Sequence, residues 1–257
     1  MGAAAVATLL LLIAGVWHDA VGEKTRYKLP ETFKRCRRND PDLNTCLYEA
    51  IRDAITQMKE GIPELGLMPL DPLVISNIKV EEGVGRPVTM SLNLKNATLH
   101  GLGNIDLSAV RADLDNRKLE FEASVPETHI DADYTMNGRF LVLPMNGEGK
   151  CSLNLTQYNT TVKLHAEPLT KDDEVYWDVT EFDVHVESLQ LFQVRFENLF
   201  NGNKTLGDNT NRVLNENWKE FFEELRPTLH DTFGGLFKKL CNVIFHKVPE
   251  RDIFLED

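Results

Sequence analysis

Past its N-terminal segment the chain has no uncharged apolar run approaching the ~20 residues that a membrane-spanning helix needs. The usual signatures of chemistry are missing as well. No Cys-x-x-Cys occurs, and the histidines (His18, His100, His129, His165, His185, His230, His246) show no HxH, HExxH or HxxxH spacing, which argues against a zinc site. There is neither a G-x-S-x-G elbow nor a P-loop, and Gly147-Glu148-Gly149 reads as a piece of a turn rather than a phosphate cradle. Asp131 and Asp133 share one strand face and read as solvated carboxylates, and His129 and His185, in the polar phase of their strands, read as solvated histidines. These absences point away from metal, cofactor and catalysis. Excess positive charge is missing too: the net charge is −12, and nucleic-acid binders present clustered Lys and Arg instead. The one basic cluster, Lys34, Arg35, Arg37 and Arg38, sits beside a cysteine and reads as a solvated loop.

The first 22 residues carry no Lys or Arg, and Leu9–Ile13 is a purely apolar run too short to span a bilayer. Ala20 and Gly22 supply the small residues of a cleavage site after Gly22, so residues 1–22 are expected to be a secretory signal peptide. Its removal leaves 235 of the 257 residues, enough for a single ligand-binding domain over residues 23–257. A secreted chain with four cysteines allows three pairings. A Cys36–Cys46 bridge would pin the N-terminal arm to the following helix and contribute about 2–3 kcal/mol. Cys151 and Cys241 would then pair with each other or stay free. Asn96, Asn154, Asn159 and Asn203 each open an Asn-x-Ser/Thr sequon, as expected of a glycoprotein.

Asp40 and Pro41 read as the cap and first turn of a helix of about 18 residues. Its apolar stripe is Leu43, Leu47, Ala50, Ile51, Ala54, Ile55 and Met58, and Gly61 and Pro63 end it. From Leu73 to about Phe196 the period becomes two: Val88, Met90, Leu92, Leu94; Leu119, Phe121, Ala123, Val125; Ile130, Ala132, Tyr134, Met136. The phase slips between Val179 and Phe182, and again between Leu191 and Phe192. Such slips predict bulges that let a long antiparallel sheet curl. Asn201–Asn211 reads as a loop, followed by a helix capped by Asp208 or Asn209 that ends at Arg226. Its apolar face holds Trp218, Phe221, Phe222 and Leu225. Pro227 is expected to open a last helix with the stripe Leu229, Phe233, Leu236, Phe237, Leu240, Ile244 and Phe245. Gly234-Gly235 interrupts that stripe at a cost near 2 kcal/mol, which calls for close packing or a hinge.

Several segments carry a resemblance. FENLFNGNKTLGDNTNRVLNENWKEFFEELRP (residues 196–227) resembles a signature of the takeout and haemolymph juvenile-hormone-binding proteins. LPETFKRCRRNDPDLNTC resembles their N-terminal cysteine motif, and IPELGLMPLDPL their Pro-rich turn. Tyr134-x-x-x-Gly138 with LVLPMNGEGKC resembles their central strand pair. The resemblance covers nearly the whole chain after the leader. It implies an α+β fold, a long helix wrapped by a strongly curved antiparallel sheet with C-terminal helices and an apolar tunnel. It also implies the Cys36–Cys46 bridge and a non-enzymatic carrier of a hydrophobic small molecule, isoprenoid or fatty-acid-like, with no cofactor. A monomer that makes transient membrane or receptor contacts fits this reading, and a nucleic-acid partner does not.

The inward phases of helix and strands give an expected lining of Leu47, Ile51, Ile55, Phe121, Val125, Tyr134, Phe140, Trp177, Phe182, Trp218 and Phe222. Two other classes compete with the carrier. An esterase would need a serine activated by a histidine; Ser188 and His185 are nearest in sequence, but i and i+3 on a regular strand point to opposite faces. A receptor-binding protein would use the acidic surface and ignore ligand.

Overall fold

The computed structural model describes residues 27–80, 89–140 and 143–256; the expected leader and Val88 lie outside them. A two-residue strand β1 (Cys36–Arg37) precedes helix α1 (Leu43–Gln57), which a 3-10 turn, Met58–Glu60, extends. Asp42 occupies the cap position. Asp40 instead accepts a hydrogen bond from the Asp42 amide, so the Asn39-Asp40-Pro41 turn precedes the helix rather than starting it. Strands β2 (Leu73–Val80), β3 (Thr89–His100), β4 (Asp106–Asp113), β5 (Lys118–Phe140), β6 (Leu143–Lys171) and β7 (Glu174–Phe196) follow. Helix α2 (Lys204–Glu216), helix α3 (Trp218–Phe245), the short α4 (Glu250–Ile253) and strand β8 (Phe254–Leu255) complete the chain.

The sheet is antiparallel in the order β2-β3-β5-β6-β7, with β4 paired to the N-terminal part of β5. As the alternation predicts, Met90, Leu92 and Leu94 turn to one buried face, as do Ile130, Ala132, Tyr134 and Met136. Register shifts interrupt the ladders at Lys95/Thr98, Leu107/Ala109, Asn159/Thr160 and His165/Ala166. The last lies opposite the slip expected between Val179 and Phe182. Burial also changes phase from the half-buried Leu191 to the buried Phe192, although the register shift itself sits a few residues earlier, at Glu187. On the facing strands the buried phase likewise jumps from Val125 to Thr128 and from Leu155 to Tyr158, where Gln157 takes a φ of +46°. Each bulge adds local twist, and together they bend the long strands. The result is a sheet curled around α3, which packs along edge strand β7 and also touches the opposite edge, β2.

An exposed edge leaves unpaired N–H and C=O groups. Here asparagines on the helices cover them. The Asn211 side chain accepts from the Phe196 amide at 2.8 Å and donates to its carbonyl at 2.9 Å. Asn215 makes the same pair with Val194, both at 2.8 Å. Asn242 does so with Val179 at 2.8 and 3.0 Å. Asn44 of α1 accepts from the Ala112 amide on β4 at 3.0 Å. A carboxamide has both a donor and an acceptor, so it stands in for the missing strand. This corrects the reading of Asn201–Asn211 as loop: most of it is helix, starting at Lys204 and capped by the Asn203 side chain, which accepts from the Leu206 amide at 3.2 Å.

The expected boundary at Pro227 also moves. The chain breaks at Asn217, and α3 then runs unbroken through Pro227. Pro227 is exposed, so the carbonyl it leaves without an amide partner faces solvent. Gly234 has the close-packing explanation: a Cβ there would come within 2.5 Å of the Phe182 carbonyl oxygen, while one on Gly235 would meet nothing within 4 Å.

The first and last described strands meet at one pole. The Cys36–Cys46 disulfide is formed, β1 pairs in parallel with β8 (Cys36 opposite Phe254), and the buried Glu250 carboxylate takes Arg38 and, at 3.0 Å, Arg117. Cys151 and Cys241 are free, which corrects the second pairing considered above. Cys151 faces one apolar cluster from the middle of β6 and Cys241 the other from α3, so their thiols belong to different cores.

Candidate interior binding site

Apolar side chains inside the curled sheet form two clusters of different character. The first is sealed: Phe140, Phe192, Phe221, Phe222, Leu73, Leu92 and Leu99 are at most 2% exposed. Phe221 stands edge-on to Phe140, ring centroids 5.2 Å apart, and Phe222 edge-on to Phe192 at 5.4 Å. Its tyrosine hydroxyls are matched. The Tyr134 hydroxyl donates to the Glu197 carbonyl at 2.6 Å, and Tyr158 and Thr128 share a hydrogen bond at 2.8 Å. Burial pushes the Tyr134 hydroxyl up to about 12 and raises Tyr158 as well, so both phenols stay neutral. Glycines let the chain close over this end: a Cβ on Gly147 or Gly149 would run into the Leu199 or Glu197 backbone.

The second cluster, near the pole where β1 and β8 meet, is built on Trp177, Val179, Leu119, Leu164, Leu107 and Leu47. Its helical wall is not sealed. Of the α1 stripe only Leu47 is fully buried; Leu43, Ala50, Ile51, Ala54, Ile55 and Met58 keep part of their surface. On α3 the first two turns bury Phe221, Phe222 and Leu225. Farther along, Leu229, Phe233, Leu236, Phe237, Ile244 and Phe245 stay half-buried although they pack against the clusters. Phe182 of β7 meets Phe237 at 5.7 Å, and Phe237 stacks on Phe233 at 6.1 Å, a row of half-buried rings on the border between the clusters.

The expected lining residues divide between these surroundings. Val125, Tyr134, Phe140, Trp218 and Phe222 belong to the first cluster, where all but Trp218 are sealed. Leu47, Ile51, Ile55, Phe121, Trp177 and Phe182 belong to the second, where only Leu47 and Trp177 are sealed. The half-buried stripe of α3 was legible as a stripe but absent from the expected lining. Its 3.6-residue period was the signal, and what separates it from ordinary core is incomplete burial, which spacing does not reveal.

Two open clefts lie elsewhere. One of about 690 Å³ sits at the β7–α2 junction among Glu197, Asn198, Asn203, Lys204 and Asp208. Another of about 400 Å³ lies at the strand kink by Pro126, Gln157, Asn159 and Gln190. Neither includes an expected lining residue. Among the sequons, Asn159 and Asn203 are exposed, Asn96 hydrogen-bonds Asp133 at 3.1 Å, and the half-buried Asn154 pairs with His129. That contact with Asn154, with help from Asp131, raises the His129 pKa.

The bulge at Glu187 breaks the alternation on which the His185/Ser188 argument relied, and both residues are exposed. The His185 ring lies against His230, centroids 5.0 Å apart. His230 Nε2 accepts from the Val186 amide at 3.4 Å, and burial, His185 and Arg226 hold its pKa below the ordinary 6.5. Among the described residues no group of three or more His, Cys, Asp or Glu could hold a metal ion, and no helix is long and apolar enough to cross a membrane.

Known proteins share this arrangement. The chain is similar to the circadian clock-controlled protein daywake of Drosophila melanogaster, 26% identical over 232 residues, 88% of each chain. The daywake protein of Drosophila yakuba is 24% identical over the same shares. The crystal structure of Epiphyas postvittana Takeout 1 matches with a TM-score of 0.75 and 25% identity, covering 86% of this chain and 99% of that one. The family model described as haemolymph juvenile hormone binding protein (JHBP) matches residues 8–255. The fold, the four-segment resemblance and this span together make the chain a member of the haemolymph juvenile hormone binding protein family.

Proposed function

We propose that this protein is a secreted, non-enzymatic, monomeric carrier that holds one elongated apolar small molecule, a juvenile-hormone-like isoprenoid or a fatty-acid-like lipid. The molecule would lie between α1, the second half of α3 and the inner face of the sheet. One observation carries the reading: apolar stripes that face the inside of the fold remain half-buried residue after residue along Ile51, Ile55, Phe182, Phe233, Phe237 and Phe245. Apolar surface left partly uncovered next to a finished core is surface that a ligand can cover. Membership of a family named for hormone binding supports the same reading.

The mechanism is desolvation. A chain of about 15 methylene-sized groups gains roughly 0.8 kcal/mol for each that leaves water, before the cost of ordering ligand and protein. The N-terminal leader supports secretion, and export would expose the four sequons to glycosylation. Native mass spectrometry with lipid extraction of the purified chain, together with uptake of an apolar fluorescent probe, tests the proposal. A bound lipid or displaceable probe is expected. A chain that carries nothing and takes up no probe contradicts it.

A further inference from the structure

Four side chains among the described residues hold a buried polar atom without a partner: Asn93, Arg117, Trp177 and Arg226. Two of them are arginines that engage carboxylates through other nitrogens, Glu250 for Arg117 and Glu223 for Arg226. Asn93 is only half-buried and has its amide nitrogen besides. Trp177 differs. Its indole N–H is its one polar atom, the residue is 1% exposed, and it sits in the middle of the second cluster. Leaving a buried donor unmet costs about 1–3 kcal/mol. The neighbouring rings do not absorb it. Phe245 and Phe254 lie at 24° and 37° to the indole plane, with centroids 5.4 and 4.8 Å away, so both cover the faces of the indole. The N–H points outward in that plane, past them. The contrast with the sealed cluster is direct, since there the tyrosine hydroxyls are both satisfied.

We infer that Trp177 is the polar anchor of the interior site and donates a hydrogen bond to an oxygen of the bound molecule. This rests on the carrier reading and narrows it. The ligand class becomes an elongated apolar chain with an uncharged acceptor oxygen at one end. The oxygen end lies at the pole where β1 and β8 meet, and the hydrocarbon runs along α3 toward the sealed cluster. The arginines of that pole, Arg38 and Arg117, are already engaged by the buried Glu250 carboxylate. The ligand oxygen meets the N–H at the edge of the indole, beside the half-buried Phe245 ring. Phe254 is held by β1–β8 pairing and stays as the floor.

The test uses the purified full-length chain, Trp177→Phe, and two probes: a long-chain fatty-acid methyl ester and the n-alkane of equal length. Phenylalanine keeps the stacking and removes the donor. The ester should lose about three- to tenfold in affinity in Trp177→Phe while the alkane stays within twofold. In the wild-type chain the indole N–H resonance of Trp177 should move downfield with the ester and stay with the alkane. This second readout does not depend on the variant folding. Equal losses for both probes, or an indole resonance indifferent to the ester, would overturn the anchor while leaving the carrier intact. Failure of the wild-type chain to bind either probe would bring down the carrier reading and the anchor with it.

Discussion

The two halves of the interior use the same residue types for opposite ends. Around Phe140, Phe192, Phe221 and Phe222 the aromatic rings pack edge-on or stacked and are at most 2% exposed. Along Phe233, Phe237 and Phe245 rings of the same kind, on the same helix, stay partly uncovered. The difference does not lie in hydrophobicity. It lies in what faces the helix. The first turns of α3 bury Phe221, Phe222 and Leu225 completely. The later turns are held tight at Gly234, against the Phe182 carbonyl, and leave Phe233, Phe237 and Phe245 half-buried on either side. One half is finished core, and the other keeps apolar surface uncovered.

That contrast can be broken most forcefully by truncating one ring in each half. Phe221→Ala should cost about 3–5 kcal/mol by denaturant unfolding, because it empties a fully packed site. Phe237→Ala should cost under about 1.5 kcal/mol without ligand and weaken probe uptake instead. Equal stability losses would mean the halves are one core. The pole comes next. Replacing Cys36 and Cys46 by serine removes a staple worth about 2–3 kcal/mol. It should speed ligand release more than it alters the circular dichroism, since the strands and α3 do not depend on it. Equal off-rates would reduce the bridge to a plain staple.

The edge asparagines give a smaller effect. Asn215→Leu leaves the Val194 amide and carbonyl unpaired at the sheet edge and should cost about 1–3 kcal/mol, with Asn215→Gln recovering little because the longer side chain misplaces the amide. Unchanged stability on chemical unfolding would show that water serves that edge equally well. The smallest effect is on pH. His230 is held below its ordinary value of 6.5 by burial, His185 and Arg226, so the folded chain binds fewer protons there than the unfolded one. Its contribution is therefore intact above pH ~6.5 and is lost as pH falls through that value. The raised His129 works in the opposite sense, so total stability is a poor readout. The stability advantage of wild type over His230→Gln should shrink as pH falls from 7 to 5. A constant advantage would mean His230 does not titrate with folding.

Much of this architecture is visible in the sequence. Alternation marks β3 and both halves of β5, and the slip after Val179 marks a bulge in β7 that the ladder contains. What escapes local reading depends on partners far away. Asparagine and glycine between residues 201 and 211 suggest a loop because each disfavours a helix. Asn211 nevertheless belongs there, since its amide repairs the edge of β7. Pro227 suggests a break, yet it is exposed and the helix tolerates it. The candidate site is half legible for the same reason: periodicity says which way Ile51, Phe182 or Phe237 points, but only the facing elements decide whether it is sealed.

Amide hydrogen exchange of the purified chain, with and without a long-chain fatty-acid methyl ester, tests the division most directly. Ligand should slow exchange along residues 43–58 and 229–245 and leave the already slow first turns of α3, residues 221–225, unchanged. Uniform protection, no protection, or protection confined to the open cleft at the β7–α2 junction would contradict the account.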